Sequence, residues 1–503
     1  MRLIKIFLFL CIFFPDILYG QTTEIQDTIS YARNKAYEKN FEEANNLLSI
    51  YNSNNNDING LRLQAQVLYW MKNFSEATIV YEKALSLFPG KAVVKLEYGR
   101  MLFELGNYSK ARPLLDEFLL TEPAHAEAGI LLSYIDLWTG NINAARKRAL
   151  LLQKTYPDNK ESAAILSEIA VYTAPYIDLQ PTVFSDDQPL KDFSFAIETG
   201  KYFSGLFSPA IKARFDNFKL SDSSSHTLWL QAGNTFSFGS KTSLHFFAGV
   251  FQHNNNNEAT YKAELSQKIS KSFIFELSTE KRPYQYSLAS IKNPFLYQLT
   301  DVALNFNKAD KWLAKAGYQI QYFKDANFIQ TIYAWLLAPL ISNSSFSLKA
   351  GYAFSHANAD LNMYQPKSPI PNINNPALLN KEVSGIYDPY FTPNNQIIHA
   401  AIASMNISFS KNVSFFSRAS IAVSARADNP KFIVVRNNGN QYVLNKTYAA
   451  TTYNPVEFFN EFRFKCSSRC YLNLNYTYSS LLFYKRNQGS LQFKYLFIHA
   501  KNK

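Results

Sequence analysis

The hydrophobic pattern of the chain changes its period once. In the first third, apolar residues recur every three to four positions, which is typical of amphipathic helices. In the remainder, apolar and polar residues alternate, as where Ser404 and Asn406 separate Ala403, Met405 and Ile407. Alternation over segments of about ten residues is typical of strands with one apolar and one polar face. The sequence therefore predicts a helical part followed by an all-β part.

The helical part contains a repeat with a period of 34 residues. Each copy has a bulky residue, an alanine three positions later and a proline beyond, with glycines in a turn and in a first helix. These landmarks are Phe74, Tyr108 and Ile142; Ala77, Ala111 and Ala145; Pro89, Pro123 and Pro157; Gly106 and Gly140; and Gly99. They resemble the tetratricopeptide repeat, in which the small residue lets two antiparallel helices approach closely and the proline ends the second helix.

The resemblance implies an α-solenoid of about four repeats over residues 21–172, with a concave groove for protein partners. A generic helical bundle is the alternative interpretation of this segment.

The β part, residues 173–503, predicts a transmembrane antiparallel β-barrel of about 16 strands. The 32 Tyr and 41 Phe of the chain favour such a barrel, because both membrane interfaces need aromatic residues. The three longest predicted connections, about 282–297, 358–395 and 427–449, all fall at one end, and a strand is expected over 450–464. A soluble β-sandwich would show similar alternation and stays an alternative.

The N-terminus predicts export from the cytoplasm. Arg2 and Lys5 precede an apolar run from Ile6 to Phe14, and Gly20 offers a small residue for cleavage. This arrangement is typical of a secretory signal peptide over residues 1–20. We therefore expect the barrel in a bacterial outer membrane, in contact with lipid and lipopolysaccharide, and the repeats in the periplasm.

The net charge of +12 belongs almost entirely to the β part. A charge on the lipid face of a barrel costs about 2–4 kcal/mol at mid-membrane, so the alternation should direct charged groups to the lumen. The candidates for the lumen are Lys212, Arg214, Lys262, Glu264, Lys268, Lys315, Gln319, Gln321, Arg418, Arg426, Glu461, Arg463, Asn473, Asn475 and Lys494. They form either a conduit with a positive bias, suited to anionic or hydroxyl-rich solutes, or paired structural groups that fill the lumen.

Little in the sequence points to covalent chemistry. We expect no catalytic residues, no metal site, no cofactor and no nucleic-acid partner. Cys466 and Cys470 flank a predicted turn, and a disulfide between them is plausible in an oxidising compartment. The adjacent pair Ser355 and His356 leaves a barrel-type esterase as a remote alternative, because no third group is identifiable.

The order of signal peptide, tetratricopeptide repeats and sixteen-stranded barrel resembles the outer-membrane exopolysaccharide export proteins. These are the poly-N-acetylglucosamine porin and the outer-membrane subunit of cellulose synthase. The shorter layout of this chain also resembles the YaiO-type outer-membrane barrel proteins, whose role is less defined. The resemblance implies a conduit for a polysaccharide or glycoconjugate, with periplasmic protein partners on the repeats. The alternative is a membrane-anchored scaffold for assembling other complexes, with a closed or plugged barrel.

Overall fold

The computed structural model describes residues 23–188, 190–220, 223–308, 311–481 and 485–498. The predicted signal peptide, residues 1–20, lies outside the described residues. Within them, no helix combines the length and the apolar character that crossing a membrane requires.

The helical part consists of four antiparallel helix pairs and a closing helix. Their bounds are α1 (Thr23–Tyr37), α2 (Phe41–Asn54), α3 (Ile58–Trp70), α4 (Phe74–Leu87), α5 (Ala92–Glu104), α6 (Tyr108–Thr121), α7 (Ala126–Trp138), α8 (Ile142–Thr155) and α9 (Lys160–Thr173). The predicted prolines Pro89, Pro123 and Pro157 lie in the connections that follow α4, α6 and α8. The prediction of tetratricopeptide-like helical repeats is confirmed.

The repeat landmarks have the structural roles that the resemblance implies. Ala77, Ala111 and Ala145 are fully buried, and a Cβ on Gly99 would lie 2.9 Å from Leu115. These small residues let neighbouring helices approach closely. Gly106 ends the turn between α5 and α6 with a φ of +70°.

The two earlier copies of this turn use lysine where the later copies use glycine. Lys39 and Lys72 occupy the position of Gly106 and Gly140, and their φ angles of 64° and 63° place them in the same left-handed region. The turn geometry is therefore repeated in all four pairs, although glycine marks it only in the last two.

The β part closes into an antiparallel barrel. Its strands are β1 (Tyr176–Asp186), β2 (Lys191–Gly200), β3 (Pro209–Lys219), β4 (Ser224–Phe238), β5 (Thr242–His253), β6 (Asn256–Lys268), β7 (Phe273–Pro283), β8 (Leu296–Lys308), β9 (Trp312–Tyr322), β10 (Phe328–Ser342), β11 (Phe346–Ala359), β12 (Tyr364–Pro366), β13 (Glu382–Val383), β14 (Gly385–Tyr387), β15 (Gln396–Ser408), β16 (Val413–Arg436), β17 (Tyr442–Thr452), β18 (Val456–Lys465), β19 (Cys470–Ser480) and β20 (Lys485–Leu496).

Sixteen of these strands form the wall: β1–β11, β15, β16 and β18–β20. The register of β1 with β20 closes the ring, from Tyr176 opposite Leu496 to Asp186 opposite Arg486. The prediction of a sixteen-stranded barrel is confirmed. The chain enters β1 and leaves β20 at the end of the barrel that carries most of the short connections. We call this end of the barrel the turn end, and we call the opposite end the loop end.

The prediction of a loop over 427–449 and of a strand over 450–464 is wrong. β16 continues to Arg436 and forms a hairpin with β17, which lies beyond the wall at the loop end. The next wall strand, β18, begins only at Val456 and pairs with the N-terminal part of β16, from Val413 to Ile421. Asp428, Asn429 and Pro430 are residues that favour turns, so the sequence indicated a loop at the point where the strand in fact continues into the hairpin.

The connection between β11 and β15, residues 360–395, covers part of the loop end. It carries the short strands β12–β14, a 3-10 turn at Pro376–Leu378 and the contacts of β13 with β16. We call it the lid. The connection between β7 and β8, residues 284–295, contains the short helix α10 (Leu288–Lys292). We call it the inner loop.

Candidate conduit through the barrel

The two faces of the wall differ in chemistry. Following the register from strand to strand places the large exposed apolar side chains on the outward face. Examples are Phe195, Ile211, Leu230, Val250, Leu277, Val302, Ile332, Tyr352, Ile421, Phe458 and Leu474. A continuous apolar surface of this kind is typical of a face that contacts lipid.

Aromatic residues of the outward face gather near both ends of the strands. At the turn end they are Phe238, Phe273, Phe306, Trp312, Phe346, Phe464 and Tyr495. At the loop end they are Phe193, Tyr322, Phe328, Phe354 and Tyr478. Two such belts correspond to the aromatic girdles at the two interfaces of a bilayer.

The inward face carries the predicted lumen candidates, with one exception. Lys212, Arg214, Lys262, Glu264, Lys268, Lys315, Gln319, Gln321, Arg418, Glu461, Arg463, Asn473, Asn475 and Lys494 all share the inward register. Whether any of them contacts a solute stays a prediction.

Arg426 is the exception, and its assignment to the lumen is corrected. The pairing of β15 with β16 shifts by one residue after His399, and Arg426 lies opposite the outward-facing Ile397. A shift of one residue moves the following side chains to the other face of a sheet. The Arg426 side chain is accordingly 64% exposed and lies 3.8 Å from Asp428.

Most cations on the inward face of β2–β9 have a carboxylate partner. Lys212 lies 2.9 Å from Glu198, Arg214 2.7 Å from Asp216, and Lys262 2.8 Å from Glu264. Lys315 and Arg282 are paired in the same way, each at 3.2 Å, with Glu276 and Glu280. This part of the lumen wall is therefore polar but close to electrically neutral.

The inner loop runs across the lumen at the loop end. It starts from β7, yet Gln285 donates to Asp216 on β3 at 3.4 Å, and Tyr286 lies against Arg486 on β20. The shorter way round the ring from β7 to β20 passes β1–β6. The loop thus reaches from β7 to the nearly opposite strand β20 and narrows the lumen.

A buried charged pair anchors the far end of the inner loop. The Arg486 guanidinium lies 3.5 Å from the Asp186 carboxylate, and the Asp186 side chain is fully buried. The guanidinium also lies over the ring of Phe184, 4.3 Å from its centroid, and over the ring of Tyr286. Leu288 and Ile291 of α10 pack in one apolar cluster with Phe184, Leu190, Phe218 and Leu220. Aromatic and apolar contacts add to the ion pair, so the crossing is held by several independent interactions.

The lid is fastened to the inner loop and to the connection between β9 and β10. Tyr390 stacks on Phe323 with ring centroids 3.7 Å apart, and its hydroxyl donates to Asp325 at 2.7 Å. Ser287 donates to the carbonyl of Pro389 at 2.6 Å. Burial and the Asp325 carboxylate raise the pKa of Tyr390, because both disfavour the negatively charged phenolate.

The lid is also fastened to the hairpin of β16 and β17. Lys446 donates to the carbonyl oxygens of Asn362 and Tyr364 at 3.3 and 2.8 Å, and Tyr364 stacks on Phe432. Burial lowers the pKa of Lys446, because the charged form loses water there. No sequence signal identified these long-range contacts, since each joins segments far apart in the chain.

The remaining chemical candidates are placed as follows. Ser355 faces the lumen and His356 faces outward, because neighbours in a strand point to opposite faces. Cys466 and Cys470 are free thiols at the turn between β18 and β19, and the disulfide stays a prediction. Among the described residues, no group of three His, Cys, Asp or Glu side chains could hold a metal ion.

The first helices of successive repeats are joined by hydrogen bonds. Arg62 donates to Glu97 at 2.5 and 3.0 Å, and Arg100 donates to Glu127 at 2.5 and 2.8 Å. Burial and the nearby Glu82 raise the pKa of Tyr98 to about 12. The bonds of Arg62 and Arg100 link α3 to α5 and α5 to α7. Such charge-assisted bonds stiffen the stack of repeats that would carry a partner.

The profile of the tetratricopeptide repeat family matches residues 102–169. In sequence, the chain is 32% identical over 108 residues to the protein CTR9 homolog of Arabidopsis thaliana. This match covers 21% of the chain and only 10% of that relative's length.

Several solved structures are similar in fold. A bacterial polysaccharide outer membrane secretin matches at 8% identity and a TM-score of 0.47, covering 65% of this chain and 99% of its own. MamA from Desulfovibrio magneticus matches at 19% identity and a TM-score of 0.29, covering 30% of this chain and 87% of its own. A tetratricopeptide repeat protein from Parabacteroides merdae matches at 16% identity and a TM-score of 0.28, covering 30% of this chain and 60% of its own.

Proposed function

We propose that the protein is an outer-membrane barrel that conducts a hydroxyl-rich polymer, such as an exopolysaccharide or glycoconjugate, out of a bacterial cell. The repeats serve as a docking platform for periplasmic proteins. The observation that carries this proposal is the continuous polar inner face enclosed by a closed wall of sixteen strands. Barrels of this size are wide enough to hold an aqueous lumen.

The outward face supports a location in a membrane. Its apolar side chains lie between two aromatic belts, and lipid or lipopolysaccharide acyl chains would cover them. The chain enters β1 at the turn end, and bacterial barrels place their short turns in the periplasm. This rule puts the helical repeats on the periplasmic side.

The inner face supports a polar polymer as the solute. Amide and hydroxyl groups, among them Gln180, Thr182, Gln319, Asn473 and Gln492, share it with the aromatic rings of Tyr176 and Phe416. Sugars offer hydroxyls for hydrogen bonds and C–H faces for aromatic rings. We propose that transport involves only such reversible contacts and no covalent step.

Conductance across a planar bilayer tests the conduit. We expect the purified protein to give small, well-defined current steps, because water fills the lumen while the inner loop restricts it. A variant with the inner loop shortened serves as the comparison. Absence of current from both proteins, at all voltages, would rule out the conduit.

A closed scaffold is the second candidate, and the crossing inner loop favours it. In that case the barrel would anchor the repeats, and the paired charges of β2–β9 would serve packing alone. The two functions differ in the partners that the full chain captures after cross-linking in the periplasm. Glycan-synthesising or glycan-modifying enzymes would support export, and envelope-assembly factors would support the scaffold.

A further inference from the structure

Charge is distributed unevenly around the lumen. Among the described inward side chains of β11, β15, β16 and β18–β20, the only acids are Glu457 and Glu461. The cations of the same wall are Lys349, Arg418, Arg463, Lys465, Arg486 and Lys494. On the other side, along β2–β9, acids such as Glu198, Asp216, Glu264, Glu276 and Glu280 match the cations. Cations therefore outnumber acids on this half of the wall, and the acids of β1–β9, which include Asp178 and Asp186 of β1, offset them over the lumen as a whole.

This half of the wall contains a cavity at the turn end. The cavity has a volume of about 480 Å³, and Lys411, Arg463, Lys465 and Lys494 line it together with serine and amide side chains. Lys411 comes from the turn between β15 and β16, and the other three come from β18 and β20. Four cations from three segments of the chain thus converge on one concave surface.

Two of the four cations are partly neutralised, and two are not. Glu461 forms an ion pair with Arg463, and Asp178 lies opposite Lys494 in the register. Within the described part of the chain, no carboxylate lies at ion-pair distance from Lys411 or Lys465, and both side chains are exposed. The cavity therefore keeps a net positive charge that is accessible from the lumen.

We propose that this cavity, which we call the cationic cavity, is an entry site for a glycan that carries negatively charged groups such as carboxylates. This proposal rests on the proposed function and names the class of its substrate. Arg463 and the lysines would bind the acidic groups, and the side chains of Asn473 and Gln492 would bind neighbouring hydroxyls. A charged wall around an enclosed aqueous space concentrates ions of opposite charge.

Calorimetric binding to the full-length protein in detergent tests the site without requiring conduction. The probes are an oligogalacturonate, which carries one carboxylate per sugar, and a neutral malto-oligosaccharide of equal length. We expect the acidic oligomer to bind at least about tenfold more tightly, and the difference to shrink at high salt because ions screen exposed charges.

A pair of double variants places the binding in the cationic cavity. Lys411→Gln with Lys465→Gln should weaken oligogalacturonate binding about tenfold, since two charge-assisted contacts are lost. Lys367→Gln with Lys381→Gln removes the same charge from exposed positions of the lid and should leave the affinity unchanged. Equal loss in both double variants, or equal binding of the two oligomers, would overturn the proposal.

The outcomes separate this inference from the proposed function. Current through the barrel without preference for the acidic oligomer refutes the entry site and leaves the conduit intact. Selective binding by a protein that never conducts refutes the conduit, and the cationic cavity would then be a glycan-binding site of a closed barrel.

Discussion

Replacing residues 285–294 of the inner loop by a short glycine-serine linker is expected to raise the single-channel conductance several-fold. The replacement removes Gln285 and Tyr286, which reach β3 and β20, and α10, which packs against Leu190 and Phe218. The barrel itself should persist, because the wall is closed by backbone pairing of β7 with β8 outside the replaced segment. Planar-bilayer recordings of both proteins provide the measurement.

The matched control shortens the turn at 437–441, between β16 and β17. This turn also lies at the loop end, but it joins the two strands of the hairpin beyond the wall. We expect its removal to leave the conductance unchanged. If the two shortened proteins and the parent all conduct equally, the inner loop does not limit the passage.

Leu115→Ala is expected to destabilise the helical repeats by about 2–5 kcal/mol, the usual range for a leucine deleted from a well-packed core. Leu115 is fully buried, and its side chain fills the space that Gly99 leaves between α5 and α6. The neighbouring helices can collapse little around the cavity, because Ala111 and Phe118 are already in contact there. Urea unfolding of the full chain in detergent, followed by helical circular dichroism, measures the change.

Leu120→Ala is the control for this substitution. It makes the same chemical change in the same helix, but Leu120 is 82% exposed. We expect its free energy of unfolding to stay within about 0.5 kcal/mol of the parent. Similar destabilisation by both variants would mean that the helical core is not packed as described.

Local spacing was enough to predict the repeats and the wall. Ala77 precedes Pro89 by the same number of residues as Ala111 precedes Pro123, and each landmark acts within its own helix pair. The wall strands follow from alternation, since the inner and outer faces of a closed barrel need different side chains. The turns at Lys39 and Lys72 were missed because lysine rarely marks a left-handed φ.

The features that shape the conduit depend on long-range geometry. Arg426 has the alternation of an inward residue, and only the register shift after His399 turns it outward. The inner loop reads as an ordinary connection, because its partners Asp216 and Arg486 are 69 positions upstream of Gln285 and some 200 positions downstream of Tyr286. The excess of cations on one half of the wall becomes visible only after the strands are ordered around the ring.

The most direct test of the membrane barrel is the labelling of single cysteines along β3, in a variant whose native cysteines are replaced by serine. The protein is reconstituted in lipid vesicles and treated with a water-soluble maleimide. Cysteines at Lys212 and Arg214 should react, because these positions face the aqueous lumen, and cysteines at Ile211, Ala213 and Phe215 should be protected by lipid. Equal labelling at all five positions would contradict a barrel with an apolar outer face and a water-filled interior.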